Sequence, residues 1–111
     1  YREDDAIIDY AIGLEALLMR GIAAELSYRF ALRGATVMTW NGGDKKELFN
    51  KLRDFYEVRS NIVHGSHVDP VKLSNARAQG EKALRDIWWW FFDSKGSLSK
   101  AISEIDQRIL Q

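Results

Sequence analysis

The sequence predicts an all-α fold: an up-and-down antiparallel helical bundle of about four long helices plus a shorter C-terminal helix. Three observations lead there. Apolar residues recur at three- and four-residue intervals in almost every segment, the period of one helix face. β-branched alternation is scarce, and the one proline, Pro70, stands at a helix start and not inside a helix. The apolar stretches are separated by short turn clusters, and short connections between long helices make neighbours antiparallel.

Helix one is expected over about Glu3 to Met19. Ile7, Tyr10 with Ala11, Leu14, and Leu17 with Leu18 form its stripe, Glu3, Asp4, Asp5 and Asp9 favour its N-terminal dipole, and Gly21 closes it. Helix two is expected from about Ile22 to Met38, turning Leu26, Phe30, Val37 and the small residues Ala23, Ala31 and Ala35 to the core, and ending in Trp40-Asn41-Gly42-Gly43. Asp44 followed by Glu47 has the spacing of a capping box, so helix three spans about Lys45 to His64. Its buried face reads Leu48, Leu52, Phe55 with Tyr56, and Ile62 with Val63, and Gly65 occupies the left-handed stop position. Asp69 and Pro70 open helix four, whose stripe is Leu73, Ala76, Gly80, Ala83 with Leu84, Ile87, Trp88 and Phe91; Ser94-Lys95-Gly96-Ser97 ends it. Helix five, about Leu98 to Leu110, carries Leu98, Ile102, Ile105 and Ile109.

The run Ile87-Trp88-Trp89-Trp90-Phe91-Phe92 does not fit a single stripe. Six large apolar residues cover every face of a helix at about 100° per residue. Either helix five and the N-terminus wrap the run, or part of it is a self-association surface.

The 111 residues fit one domain, 1–111, and because the first residue is Tyr1 the expectation is a domain excised from a longer chain. A 46% hydrophobic content supports a core and excludes intrinsic disorder. Sixteen basic residues balance sixteen acidic ones, so there is no global positive charge of the kind that gathers duplex DNA. Arg29, Arg33, Lys45, Lys46, Lys51 and Arg53 are candidates for a local basic rim, against the plainer reading of solvated helix faces. The absence of cysteine excludes a disulfide framework, a thiolate zinc site and a thiol nucleophile, and fits a reducing, cytoplasmic compartment. The longest apolar run is far below the ~20 residues of a membrane span, so no membrane partner is expected. No phosphate-binding glycine loop, dinucleotide fingerprint or zinc helix occurs, and no cofactor or metal is expected.

Candidate chemistry gathers at the end of helix three, which holds His64 and, just beyond, His67. Arg59 continues the stripe Leu48, Leu52, Phe55, Arg59, Ile62 and so sets a guanidinium in an apolar seam. A charge there needs a partner. Glu15, flanking the helix one stripe, is the internal candidate; a phosphate-like anion in a groove is the alternative. His64 reads either as a cation at a helix C-terminus or as an acid–base group near neutral pH. On an ideal helix Arg59 and His64 stand roughly 140° apart, whereas Asn61 and His64 share a face. A distorted last turn or a site shared with a second copy reconciles the two.

The string Arg59, Asn61, His64 resembles the Arg-x4–6-His motif of the HEPN superfamily. The blocks Ala11 to Leu18, Glu25 to Ala35, and Phe55 to Gly65 are similar, in order, to those of the ApeA-like HEPN family, over roughly Asp9 to Gly65. The resemblance implies a helical two-fold homodimer acting as a metal-independent endoribonuclease on single-stranded RNA, in a toxin or antiviral defence role, with an antitoxin or a fused sensor domain as further partner. It assigns His64 as general acid or base, Arg59 as holder of the scissile phosphate, and Asn61 as the residue orienting one of them. HEPN domains also occur as noncatalytic dimerisation, binding or sensor modules, which is the alternative.

Overall fold

The computed structural model describes residues 2–22, 24–93 and 96–110. Its elements are α1 (Glu3–Leu18), α2 (Leu26–Thr39), α3 (Lys45–Val63), α4 (Pro70–Phe92) and α5 (Leu98–Leu110), with no strand among the described residues. The protein is an all-α helical bundle.

Most boundaries follow from local chemistry. Asp44 Oδ2 accepts from the Glu47 N–H at 3.0 Å and Asp69 Oδ1 from the Val71 N–H at 2.9 Å, satisfying donors that α3 and α4 leave unpaired in their first turns. At the far end of α3 the Ser66 N–H donates to the Asn61 carbonyl at 2.8 Å and the Gly65 N–H to the Ile62 carbonyl at 3.1 Å. Such a stop requires a left-handed residue, and Gly65 supplies it at φ +75°. α1 and α3 each end one residue before the expected position, with Met19 and His64 as their C-caps.

The start of α2 differs more. The helix begins at Leu26 and not near Ile22, because Glu25 adopts φ 54° and breaks the helical path just before it. Apolar spacing that starts at Ile22 therefore runs through a turn, and Leu26, expected in the core, is exposed. Ala23 lies outside the described residues, as do Ser94 and Lys95 in the expected break after α4.

Four helices converge on two close approaches. A Cβ at Gly34 would stand 2.6 Å from Leu52 and 3.4 Å from Leu18; one at Gly80 would stand 2.5 Å from Phe55 and 3.0 Å from Tyr10. Only glycine at position 80 lets α1, α3 and α4 meet this tightly. α2 and α3 run antiparallel, with Phe30 edge-on to Tyr56 at 4.9 Å and stacked near Phe55 at 6.1 Å. α3 and α4 form the next antiparallel pair. α1 lies along α4 in the same direction, Tyr10 at Gly80, Gly13 at Leu84 and Leu18 near Ile87, so the segment after Leu18 carries the chain back to the start of α2. Ile7, Leu14, Leu18, Phe30, Leu52, Phe55, Ile87 and Ile105 are fully buried between these helices, each burial stabilising by roughly 1.5–3 kcal/mol.

α5 packs mainly against α2, where Arg108 also sits 5.4 Å over the Trp40 ring, and meets the aromatic run of α4 at its first residue, Leu98, which shares a cleft with Trp88, Phe91 and Phe92. The run divides accordingly. Ile87 is buried and Trp90 packs on Trp40 at 4.6 Å, while Trp88, Trp89 and Phe92 remain 44%, 56% and 66% exposed. Trp88, expected on the buried stripe, therefore faces outward, stacked on Phe92 at 4.8 Å. Val63 is a further correction: it stands in the last turn of α3 and is exposed.

Candidate functional site

Arg59 is where its spacing places it, half-buried in the seam between α3 and α1. Its Nε donates to Glu15 Oε1 at 3.1 Å, and the two side chains are 29% and 28% exposed. The guanidinium lies 5.3 Å over the Tyr56 ring, one turn earlier on the same helix. Burial, and secondarily the Glu15 carboxylate, push the Tyr56 hydroxyl above its ordinary pKa, with Arg59 opposing them. The phenol is thus neutral at physiological pH, and the local charges are Arg59 and Glu15. Both Nη nitrogens of Arg59 lack a hydrogen-bond partner among the described residues.

The pair is intermediate between surface and interior, where one ion pair contributes on the order of 1 kcal/mol. Glu15→Gln should lower stability by about 0.5–1 kcal/mol. Glu15→Ala combined with Arg59→Ala should cost less than the sum of the single changes in a urea-melt cycle. Strict additivity would mean the two side chains do not meet in solution.

Asn61 faces away from this pair. It is half-buried and lines a cleft between α3 and α4. His64 is exposed at the C-cap of α3, one turn from Asn61 along the helix, and its imidazole has no partner among the described residues. The turn at Gly65 closes regularly, so the last turn of α3 is not bent to bring His64 under Arg59. Within one chain the structure brings Arg59 and Glu15 together and leaves His64 and Asn61 on another face. No group of three or more His, Asp or Glu side chains arranged to hold a metal ion occurs among the described residues.

Arg33 is the important residue that the sequence reading misplaced. Read as a basic-rim residue or, more plainly, as part of a solvated helix face, it is instead 6% exposed, because its place between Phe30 and Val37 puts it on the inner stripe of α2. The spacing that marks Arg59 marks Arg33 as well. Its Nη1 donates to the Leu18 carbonyl at 2.6 Å and to the Arg20 carbonyl at 3.3 Å, while Nε and Nη2 hold the Asp106 carboxylate at 3.2 and 3.0 Å. Arg33 thus closes the open carbonyl end of α1 and fastens α5 to α2. Of the remaining rim residues, Arg29, Lys46, Lys51 and Arg53 are exposed and Lys45 is half-buried.

Comparison with protein-family models, with characterised proteins and with solved structures finds no significant match to this chain.

Proposed function

We propose that this domain is one half of a metal-independent endoribonuclease of the HEPN type, acting on single-stranded RNA and assembled from two copies of the chain. The observation that carries the reading is the placement of an accessible Arg59 and an accessible His64 on different faces of one helix. Two such chains, facing each other, complete a site that neither holds alone. In that site the ribose 2′-oxygen attacks phosphorus and the bond to the 5′-oxygen breaks, leaving a 2′,3′-cyclic phosphate and a 5′-hydroxyl. His64 handles the 2′-hydroxyl proton or protonates the leaving oxygen, Arg59 holds the phosphate oxygens with its free Nη donors, and Asn61 orients one of the two. RNA lacking a 2′-hydroxyl at the cut is inert. A toxin or antiviral effector, held by an antitoxin or a fused sensor domain and working in the cytoplasm, is the role that suits such chemistry. No described helix is long and apolar enough to cross a membrane.

These groups need no metal, so cleavage of a generic single-stranded RNA should persist in excess chelator and yield the cyclic phosphate end. Activity lost in chelator and restored by one divalent ion would overturn the mechanism. The noncatalytic reading, a HEPN dimerisation, binding or sensor module, is favoured by one observation: Glu15 already occupies one edge of the Arg59 guanidinium, where a phosphate has to compete.

The exposed aromatic residues offer a surface for the second copy. Trp88 stands eighteen positions after Pro70, about 27 Å along α4 from the end that follows His64, so this face can be altered without touching His64. Trp89→Ser should weaken self-association in sedimentation while leaving the circular dichroism melt within about 0.5 kcal/mol of the parent. Trp90→Ser, which removes the packing on Trp40, should instead lower the melting temperature. A Trp89→Ser chain that associates like the parent would exclude this face as the contact.

A further inference from the structure

We propose that the cleft between α3 and α4 is a base-binding pocket that selects guanine, an inference that rests on the ribonuclease reading for its substrate and deepens it. The cleft is about 480 Å³, within the range of small-ligand sites. Two ladders of polar side chains face each other across it: Asp54, Glu57 and Asn61 from α3, and Lys72, Asn75 and Gln79 from α4. Each ladder has the spacing i, i+3, i+7 of one helix face. None of these six side chains hydrogen-bonds to another among the described residues, so two carboxylates and an amide face an ammonium and two amides, an acceptor-rich row opposite a row that supplies donors. Beneath them Val58 and Ala76, both buried, give an apolar floor suited to the flat face of a ring.

The donor and acceptor pattern decides among the bases. Guanine alone presents two adjacent donors, N1–H and the N2 amine, which one carboxylate such as Glu57 accepts together, and two acceptors, O6 and N7, which Lys72 and an amide of Asn75 or Gln79 can serve. Uracil offers a single donor, N3–H, flanked by two carbonyl oxygens that stand against the same carboxylates, so it is disfavoured. Adenine and cytosine each bring one amine beside an unprotonated ring nitrogen and satisfy half of the pattern. Three carboxylates line the cleft, Asp54, Glu57 and Asp69, against Lys72 and His67, a balance that disfavours phosphate, so the base enters and the backbone stays outside. Asn61, at the mouth of the cleft, lies one helical turn from His64, which sets the bound nucleotide next to the cut.

The test measures equilibrium binding of guanosine and of uridine to the intact chain by calorimetry, alongside cleavage of RNAs that differ only in the base beside the cut. Guanosine should bind at least ~10-fold more tightly than uridine, and Glu57→Gln at an exposed position and Gln79→Ala at a half-buried one should each weaken guanosine at least several-fold with the melt within about 1 kcal/mol of the parent. Guanosine binding without any RNA cleavage would support the pocket and overturn the ribonuclease. Cleavage indifferent to the neighbouring base, with guanosine and uridine bound equally or not at all up to about 10 mM, would overturn the pocket and leave the ribonuclease standing.

Discussion

Arg33→Ala should destabilise the domain by about 3 kcal/mol, more than any other single change of a charged residue in this chain. The substitution removes four hydrogen bonds at once, two to the carbonyls that end the α1 segment and two to Asp106. It also leaves a hole where a nearly buried side chain stood. Asp106 is 47% exposed and regains water, which holds the cost near the lower end of the range for a broken buried pair. Against a total of roughly 5–15 kcal/mol for a domain of this size, the loss is a large share. At about 4 °C per kcal/mol the melting temperature falls by some 12 °C. Asp106→Ala should cost less, because the two carbonyl contacts of Arg33 survive it. A melt within about 3 °C of the parent for Arg33→Ala would show that the guanidinium does not fasten α1, α2 and α5 together.

The contrast between Arg33 and Arg59 shows how much was legible in the sequence. Both interrupt an apolar stripe, and spacing alone places both guanidinium groups inward. For Arg59 that inference and its partner Glu15 hold in the structure. Arg33 escaped because its partners are backbone carbonyls and an aspartate 73 positions away, which no local pattern announces. The stops and starts at Asp44, Gly65, Asp69 and Pro70 were legible, since each is decided within four residues. The start of α2 was not, because it turns on the left-handed backbone of Glu25, a conformation that glutamate does not advertise. Which aromatic residues of α4 stay exposed depends on where α5 docks, and that is a matter of tertiary packing. The α3–α4 cleft was invisible for the same reason: its two polar ladders become one feature only when the helices pair.

On the ribonuclease reading, His64→Ala should reduce RNA cleavage by about 10²–10⁴-fold while leaving stability unchanged, since the imidazole is exposed. Arg59→Lys should be impaired nearly as severely as Arg59→Ala. An ammonium is a point charge and does not reproduce the planar, two-pronged hold of guanidinium on a phosphate. A folded, fully active Arg59→Lys chain would show that charge alone suffices.

On the proposed reading each site takes Arg59 from one chain and His64 from the other. This arrangement is tested most directly by mixing inactive Arg59→Ala and inactive His64→Ala chains, with subunit exchange verified by mass spectrometry of differently tagged copies. In a mixed dimer one site has lost both residues and the other retains both. Random exchange makes half of the dimers mixed, each with one working site of two, so about a quarter of the parent activity should return. A mixture that stays inactive with exchange proven would contradict the shared site.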